Sequence, residues 1–403
     1  MERACGIGRL AMITLAAASP GGAAPLGSPQ ENANEHGGGG PHDGNQPHEE
    51  VHAAPQVQAA AGQPSVLLIR DPSIRAELRL SEEQDRKIRK LMDVVDGPLW
   101  GLRDLPPAES NAQFKPLLGK AERELEGILK PDQGRRLRQI VLQARGISGM
   151  VDPDVPDRLG LTAAQRGKVR DILAQTHKAV RALEHRAREE GRAEHHLQAA
   201  RKLRTRQDGA IMALLTDAQK RRCWALLGKP FDLSRVKPIA IKAPELREAT
   251  AWINSKPLTL AELRGRVVAV HFWTFGCINC IRNYPWYQGW QKDYADKGLT
   301  LIGIHTPEVA RERDLDAVRQ KVKENGFTFP VLVDTDKRNW DAWANRMWPS
   351  VYLIDQQGRV RHWWYGELNW EGAPGDVFMR GKIEMLLAEK ASAPMLHKAT
   401  LGN

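Results

Sequence analysis

The chain has 403 residues, 59 lysines and arginines against 49 aspartates and glutamates, and four cysteines. That length suffices for two or three domains with real cores, and so few cysteines exclude a disulfide-stapled mini-fold. No apolar run approaches the roughly 18 residues of a membrane span, and the net charge of +10 raises anionic partners. The charge is unevenly spread. Residues 1–65 carry 2 basic and 6 acidic side chains, residues 66–235 carry 34 and 24, and residues 236–403 carry 23 and 19. Ten of the twelve tryptophans lie beyond residue 240, with only Trp100 and Trp224 before it. The middle and the end of the chain therefore read as different domains.

At the N-terminus, Arg3 and Arg9 precede the short apolar run Leu10–Ala18, and Ala16-x-Ala18 offers a small-residue cleavage site. This pattern predicts a signal peptide over 1–18 and an extracytoplasmic, periplasmic location. Residues 19–65 are rich in Gly, Pro and His and poor in large apolar groups, which predicts a disordered linker. His36, His42, His48 and His52 are irregularly spaced there and read as solvated.

Over 66–235 the pattern is helical. Ile88, Leu91, Met92 and Val95 share one face, as do Leu137, Ile140 and Val141. A repeat is visible. Leu80-Ser81-Glu82-Glu83-Gln84 matches Leu161-Thr162-Ala163-Ala164-Gln165, and Leu129-Lys130-Pro131-Asp132-Gln133 matches Leu215-Thr216-Asp217-Ala218-Gln219. Two units of about 80 residues stand in tandem. Each match predicts a helix start, in which Ser81, Thr162 or Thr216 caps the third helical N–H and the glutamine reaches back. Lys130 cannot cap, but Pro131 suits the first helical position. The Leu-Thr-x-x-Gln pattern resembles that of Spy-like periplasmic chaperones, which implies a domain that holds unfolded chains. A helical scaffold is the competing reading. The basic surface lacks aromatic interleaving and any helix-turn-helix pattern, so no nucleic-acid partner is expected. Cys223, beside Trp224, reads as a buried, inert thiol.

The region 236–391 alternates strand and helix. Ala251–Pro257 suggests a turn within a short hairpin. Val267–Trp273 is a continuous apolar run, suited to a central strand buried on both faces. A helix begins near Cys277, a second strand spans Leu299–His305, and a helix over Asp314–Glu324 ends at Asn325-Gly326. A short strand at Phe329–Val333 and a short helix at Asn339–Arg346 follow. Val351–Asp355 and Val360–Tyr365 form a hairpin, and a last helix covers about 377–390. Such an order is an α/β sandwich. A flexible tail is expected over 392–403.

The chemistry lies at Cys277-Ile278-Asn279-Cys280. A Cys-x-x-Cys pair that directly follows a buried strand and opens a helix is a redox pair. The first sulfur faces unpaired helix N–H groups and the positive end of the helix dipole, which lowers its pKa. Cys277 is therefore the expected nucleophile and Cys280 the resolving thiol. No second Cys/His pair with ligand spacing follows, so no zinc and no cofactor are expected.

The run Phe272-Trp273-Thr274-Phe275-Gly276-Cys277-Ile278-Asn279-Cys280 resembles the active-site run of the TlpA/ResA/DipZ class of extracytoplasmic thioredoxin-like proteins. Gly303-Ile304-His305-Thr306-Pro307-Glu308, Trp348-Pro349-Ser350-Val351-Tyr352-Leu353-Ile354-Asp355 and Tyr365-Gly366-Glu367 are similar to further segments of that class. The resemblance implies thiol–disulfide exchange, more as reductase than as oxidase, on protein disulfides or dithiols, with a further redox partner recycling the pair. It also implies a cis peptide at Pro349, beside the cysteines, and substrate pairing with the backbone of Trp348 as an added strand. Phe275 and Trp348 would form an apolar rim. Two positions depart from the class. His271 stands where thioredoxins place a buried carboxylate, and Asn283 where ResA-like reductases place a glutamate. His271 is open to two readings, a proton relay as neutral imidazole or a core histidine. Thr274-x-x-Cys277 also echoes peroxiredoxins, but Val270 replaces their proline. The whole reading is thus a multidomain chain, an all-α tandem helical domain followed by an α/β thioredoxin-like domain. A client-binding chaperone-like protein and a thiol peroxidase are the alternatives.

Overall fold

The computed structural model describes residues 65–190, 193–237 and 240–389. The expected signal peptide, almost all of the linker and the tail lie outside these residues. The described chain falls into two compact units. One holds residues 65–88 and 121–237. The other holds 89–120 and 240–389. Among the described residues no helix is long and apolar enough to cross a membrane.

The first unit is all helix. Each expected helix start is present. Gln84 N–H donates to Ser81 Oγ at 3.2 Å while Ser81 N–H donates back to Gln84 Oε1 at 3.0 Å. The same reciprocal box forms at Thr162 and Gln165 and at Thr216 and Gln219. At Lys130 only the glutamine half forms, from Lys130 N–H to Gln133 Oε1. The structure adds what the repeat is for. Within each copy the two glutamine side chains bond each other. Gln84 Nε2 donates to Gln133 Oε1 at 2.7 Å, and Gln165 Nε2 donates to Gln219 Oε1 at 2.9 Å. Their remaining N–H groups reach orphan carbonyls, at Ile128 and Leu78 in one copy and at Leu214 and Gly160 in the other. One amide at the third helical position thus caps its own helix and clamps its partner's start. The long helices Ala163–Glu190 and Ala193–Ala213 pack along each other. Leu159, Leu161, Val169, Ile211 and Leu215 form a core in the second copy. Cys223 packs half-buried against that core, and burial raises its thiol pKa.

The second unit is built on a seven-stranded mixed sheet of β1 (Ile241–Lys242), β2 (Ala251–Ile253), β3 (Val267–Trp273), β4 (Leu299–His305), β5 (Val331–Val333), β6 (Ser350–Ile354) and β7 (Arg359–Tyr365). The spatial order is β1-β7-β6-β3-β4-β5-β2. Central β3 runs parallel to β4 and antiparallel to β6. All seven of its residues are buried, which explains the unbroken apolar run. The expected hairpin at Ala251–Pro257 is not one. Ala251–Ile253 instead pairs antiparallel with distant β5 at the sheet edge. Three residues with no alternating partner nearby leave local sequence unable to choose between these pairings.

One face of the sheet carries Val267, Ala269 and Trp273, packed with residues of the helices Ile278–Tyr294 and Gly375–Ala388. On the other face Phe272 meets Tyr352 and Trp343 edge-on. Trp100 fills this second face. Its ring makes edge contacts with Trp343, Tyr352 and Trp363 at centroid distances of 6.4, 5.6 and 5.5 Å, and its Nε1 donates to Trp343 O at 2.7 Å. Arg103 lies 4.0 Å over the Trp100 ring and donates to Tyr365 Oη and Ala344 O. Asp104 accepts from Tyr365 Oη at 2.8 Å. These contacts explain why residues 89–120 cluster with the sheet rather than with the helical residues around them, across the boundary expected at 235/236.

Candidate active site

The apolar run of β3 ends at Trp273, and its carbonyl accepts the Thr306 N–H at 3.0 Å. Thr274, Phe275 and Gly276 carry the chain from the sheet edge to a new helix. Cys277 is the N-cap of that helix, Ile278–Tyr294. The Cys280 N–H points back to Cys277 Sγ at 3.4 Å. This is the cap geometry in which the first, unpartnered N–H groups of a helix face a side-chain acceptor. Cys277 is half-buried, Cys280 is fully buried, and both are free thiols.

The two sulfurs are electrostatically unlike. A hydrogen bond from the Cys280 thiol is the largest influence on Cys277. With the N–H groups of Cys280 and Asn279 it outweighs burial and draws the Cys277 thiol down to about 7. Burial pushes Cys280 the other way, well above the ordinary thiol range, and its hydrogen bond to Cys277 adds to this. One thiol is poised as a thiolate near neutral pH while its neighbour keeps its proton.

Around the pair, Phe275 is half-buried and stacks on the His305 ring at 5.5 Å. The Trp348–Pro349 peptide is cis. The Trp348 ring stacks on Trp340 at 3.9 Å, and its Nε1 donates to Thr306 O at 3.1 Å. Cys277, Phe275 and Trp348 all pack against the edge of the same core. The exposed apolar side chains Ile278, Ile281, Val309 and Met347 lie within a few residues of these positions in the chain.

Residues 239–363 match the AhpC/TSA family. The chain is 43% identical over 128 residues to the protein DipZ of Mycobacterium bovis, covering 31% of this chain and 18% of DipZ. It is 28% identical over 147 residues to the thiol-disulfide oxidoreductase YkuV of Bacillus subtilis, covering 36% of this chain and 94% of YkuV. With the thiol-disulfide oxidoreductase ResA of the same organism it shares 29% identity over 107 residues, covering 27% of this chain and 57% of ResA. The C-terminal region is a TlpA/ResA/DipZ-type thioredoxin-like redoxin. The chain spans about a fifth of the length of the DipZ relatives it matches.

Within the redoxin, the two positions that depart from the class are both buried. His271 is fully buried, stacks on Tyr287 at 4.3 Å and meets Phe329 edge-on. Neither ring nitrogen has a hydrogen-bond partner among the described residues, and burial holds the ring neutral, with a pKa lowered to about 3. Asn283 is a tie between elements. Its amide donates to Gly366 O at 3.1 Å and accepts from Leu368 N–H at 2.9 Å, which joins the active-site helix to the segment after β7.

The redoxin also holds polar contacts that no motif marked. Asp334 accepts from the N–H groups of Asn339 and Trp340 and from the Thr306 hydroxyl, and so seats the ring on which Trp348 stacks. Buried Thr274 lies 3.4 Å from His305 Nε2. Buried Glu312 accepts from Gly276. The Thr306–Asp334, Thr274–His305 and Gly276–Glu312 contacts join residues 28, 31 and 36 positions apart, so spacing carries no sign of them. For Glu312 the available signal was its place just beyond the Gly303–Glu308 segment.

Proposed function

We propose that this protein is an extracytoplasmic thiol–disulfide oxidoreductase that works chiefly as a reductase of protein disulfides. The observation that carries the reading is the asymmetric pair, a half-exposed N-cap thiol drawn to about 7 beside a buried thiol held protonated. The Cys277 thiolate attacks one sulfur of a substrate disulfide. That S–S bond breaks, a mixed disulfide forms, and the departing substrate thiolate takes up a proton. Cys280 then loses its proton and attacks Cys277 Sγ. The second substrate thiol leaves, and the pair is left as a disulfide. Two electrons pass to the substrate, and an external dithiol must return them before the next cycle.

The direction rests on the acidity of Cys277. Thiols near 7 belong to reducing thioredoxins, whereas strongly oxidising pairs have thiols near 3.5. Trp348, Pro349 and Phe275 are the proposed contacts for an extended substrate segment, supported by the packing of Trp348 and Phe275 on the same core as Cys277 and by the cis peptide that joins Trp348 to Pro349. Export rests on the N-terminal basic and apolar run together with the resemblance to extracytoplasmic redoxins. The client-holding alternative for the helical residues gains nothing from its motif, because the Leu-Thr-x-x-Gln glutamines are spent on internal hydrogen bonds. The test is trapping. Cys280→Ser accumulates covalent adducts with substrate proteins that dithiothreitol releases, and Cys277→Ser accumulates none. Equal trapping by both variants, or by neither, overturns the assignment.

A further inference from the structure

Glu312 lies in the short turn Ala310–Arg313, outside the cysteine motif, and is 2% exposed. Its Oε1 accepts the Gly276 N–H at 3.0 Å, and its Oε2 accepts the N–H groups of Glu308 at 2.7 Å and Val309 at 3.2 Å. The Thr274 hydroxyl donates to the same carboxylate. A Cβ on Gly276 would run into Oε1, so this glycine permits the close approach. Burial alone would push this carboxyl up, but four donors outweigh it and keep the group ionised. A fixed anion is therefore seated on the three residues that lead into Cys277.

Two effects follow. The carboxylate ties the Thr274–Gly276 segment to the turn after β4, which holds the entry to the active-site helix. It also takes up the Gly276 N–H, a donor at the mouth of that helix that would otherwise be free to favour another anion. A negative charge bound to the residue before Cys277 opposes a second negative charge on the sulfur. We propose that Glu312 is a positioning residue of the exchange pair, a resident carboxylate that fixes the Thr274–Gly276 segment and restrains the Cys277 thiolate, making the pair less oxidising than an unopposed N-cap thiolate. The proposal rests on the reading of Cys277 as nucleophile. The other titratable or charged groups facing this segment and the pair are Cys280, Tyr284, Tyr287, His305, Glu308 and Arg311. Of these, the Glu308 charge opposes the Cys277 thiolate, and the proposal adds Glu312 to it.

The experiment follows the rate of iodoacetamide alkylation at Cys277 against pH in the full reduced chain, read by mass spectrometry, together with the equilibrium of the pair against glutathione. Glu312→Gln removes the charge and keeps the side chain's size. It lowers the alkylation midpoint by about half a unit or more and shifts the glutathione equilibrium toward the dithiol form. Glu312→Asp retains the charge and holds the midpoint closer to wild type than Gln does. A folded Glu312→Gln protein with an unmoved or raised midpoint overturns the proposal. If that variant fails to fold, Gly276→Ala displaces Oε1 with a methyl group and is expected to lower the midpoint in the same sense; an unmoved midpoint there is equally fatal. A wild-type Cys277 that shows no acid-shifted alkylation overturns the exchange reading itself. A normal wild-type profile with an unmoved Glu312→Gln overturns only the part given to Glu312.

Discussion

Replacing Trp100 with alanine is expected to destabilise the redoxin unit, although the residue lies 177 positions before Cys277. The ring is 1% exposed and makes edge contacts with three aromatic rings. Truncating a buried tryptophan to alanine costs about 3–5 kcal/mol. The edge-to-face contacts and the Trp343 carbonyl, which loses its 2.7 Å donor, place Trp100 toward the upper part of that range. For a urea dependence of about 2 kcal/mol/M, the unfolding midpoint falls by roughly 2 M. Cys280 supplies the assay, because its fully buried thiol is alkylated only when the unit opens. Brief pulses of a thiol reagent along a urea series, read at the Cys280 peptide, report opening of this unit alone. Trp224→Ala is the control. Trp224 is 52% exposed in the helical unit, and its loss should change stability by about 0.5 kcal/mol or less. A Trp100→Ala midpoint that moves by less than about 0.5 M would refute the placing of residues 89–120 in the core of the redoxin unit.

In the reduced wild-type protein the rate of Cys277 alkylation rises with pH through a midpoint near 7, as the thiolate forms, while Cys280 stays protected in the folded state. His271→Leu leaves that midpoint within about 0.3 unit, since the ring is neutral and hydrogen-bonds neither sulfur; a larger shift supports the proton-relay reading. Gln219→Ala removes the reciprocal amide pair with Gln165 and strips a donor from the Gly160 carbonyl. It should cost about 1–3 kcal/mol in unfolding followed by far-ultraviolet circular dichroism, and a loss of only a few tenths would show that the clamp contributes little.

Much of the local structure could be read from neighbours in the chain. The capping boxes at Ser81, Thr162 and Thr216 join residues three apart, a spacing that one helical turn imposes, so a hydroxyl and a glutamine at that interval suffice to announce them. The Val267–Trp273 strand, the Leu299–His305 strand and the N-cap cysteine were equally local, since an unbroken apolar run and a cysteine at a strand-to-helix junction state their own surroundings. Even so, the meaning of the repeat was hidden. The glutamines that read as helix caps also clamp each other across 49 and 54 residues.

By itself, then, the sequence determined the helical character of the middle, the α/β order of the end and the place of Cys277 at a strand-to-helix junction, because each is written in contacts a few residues long. The tertiary structure alone decided where Trp100 belongs, that Ala251–Ile253 is an edge strand, that His271 packs between Tyr287 and Phe329 and that Glu312 binds the Gly276 N–H. Trp100 meets Trp343 across 243 positions, and Glu312 meets Gly276 across 36. A hydrogen bond between residues so far apart leaves no period in the sequence, and only the packing of the folded chain brings its two ends together.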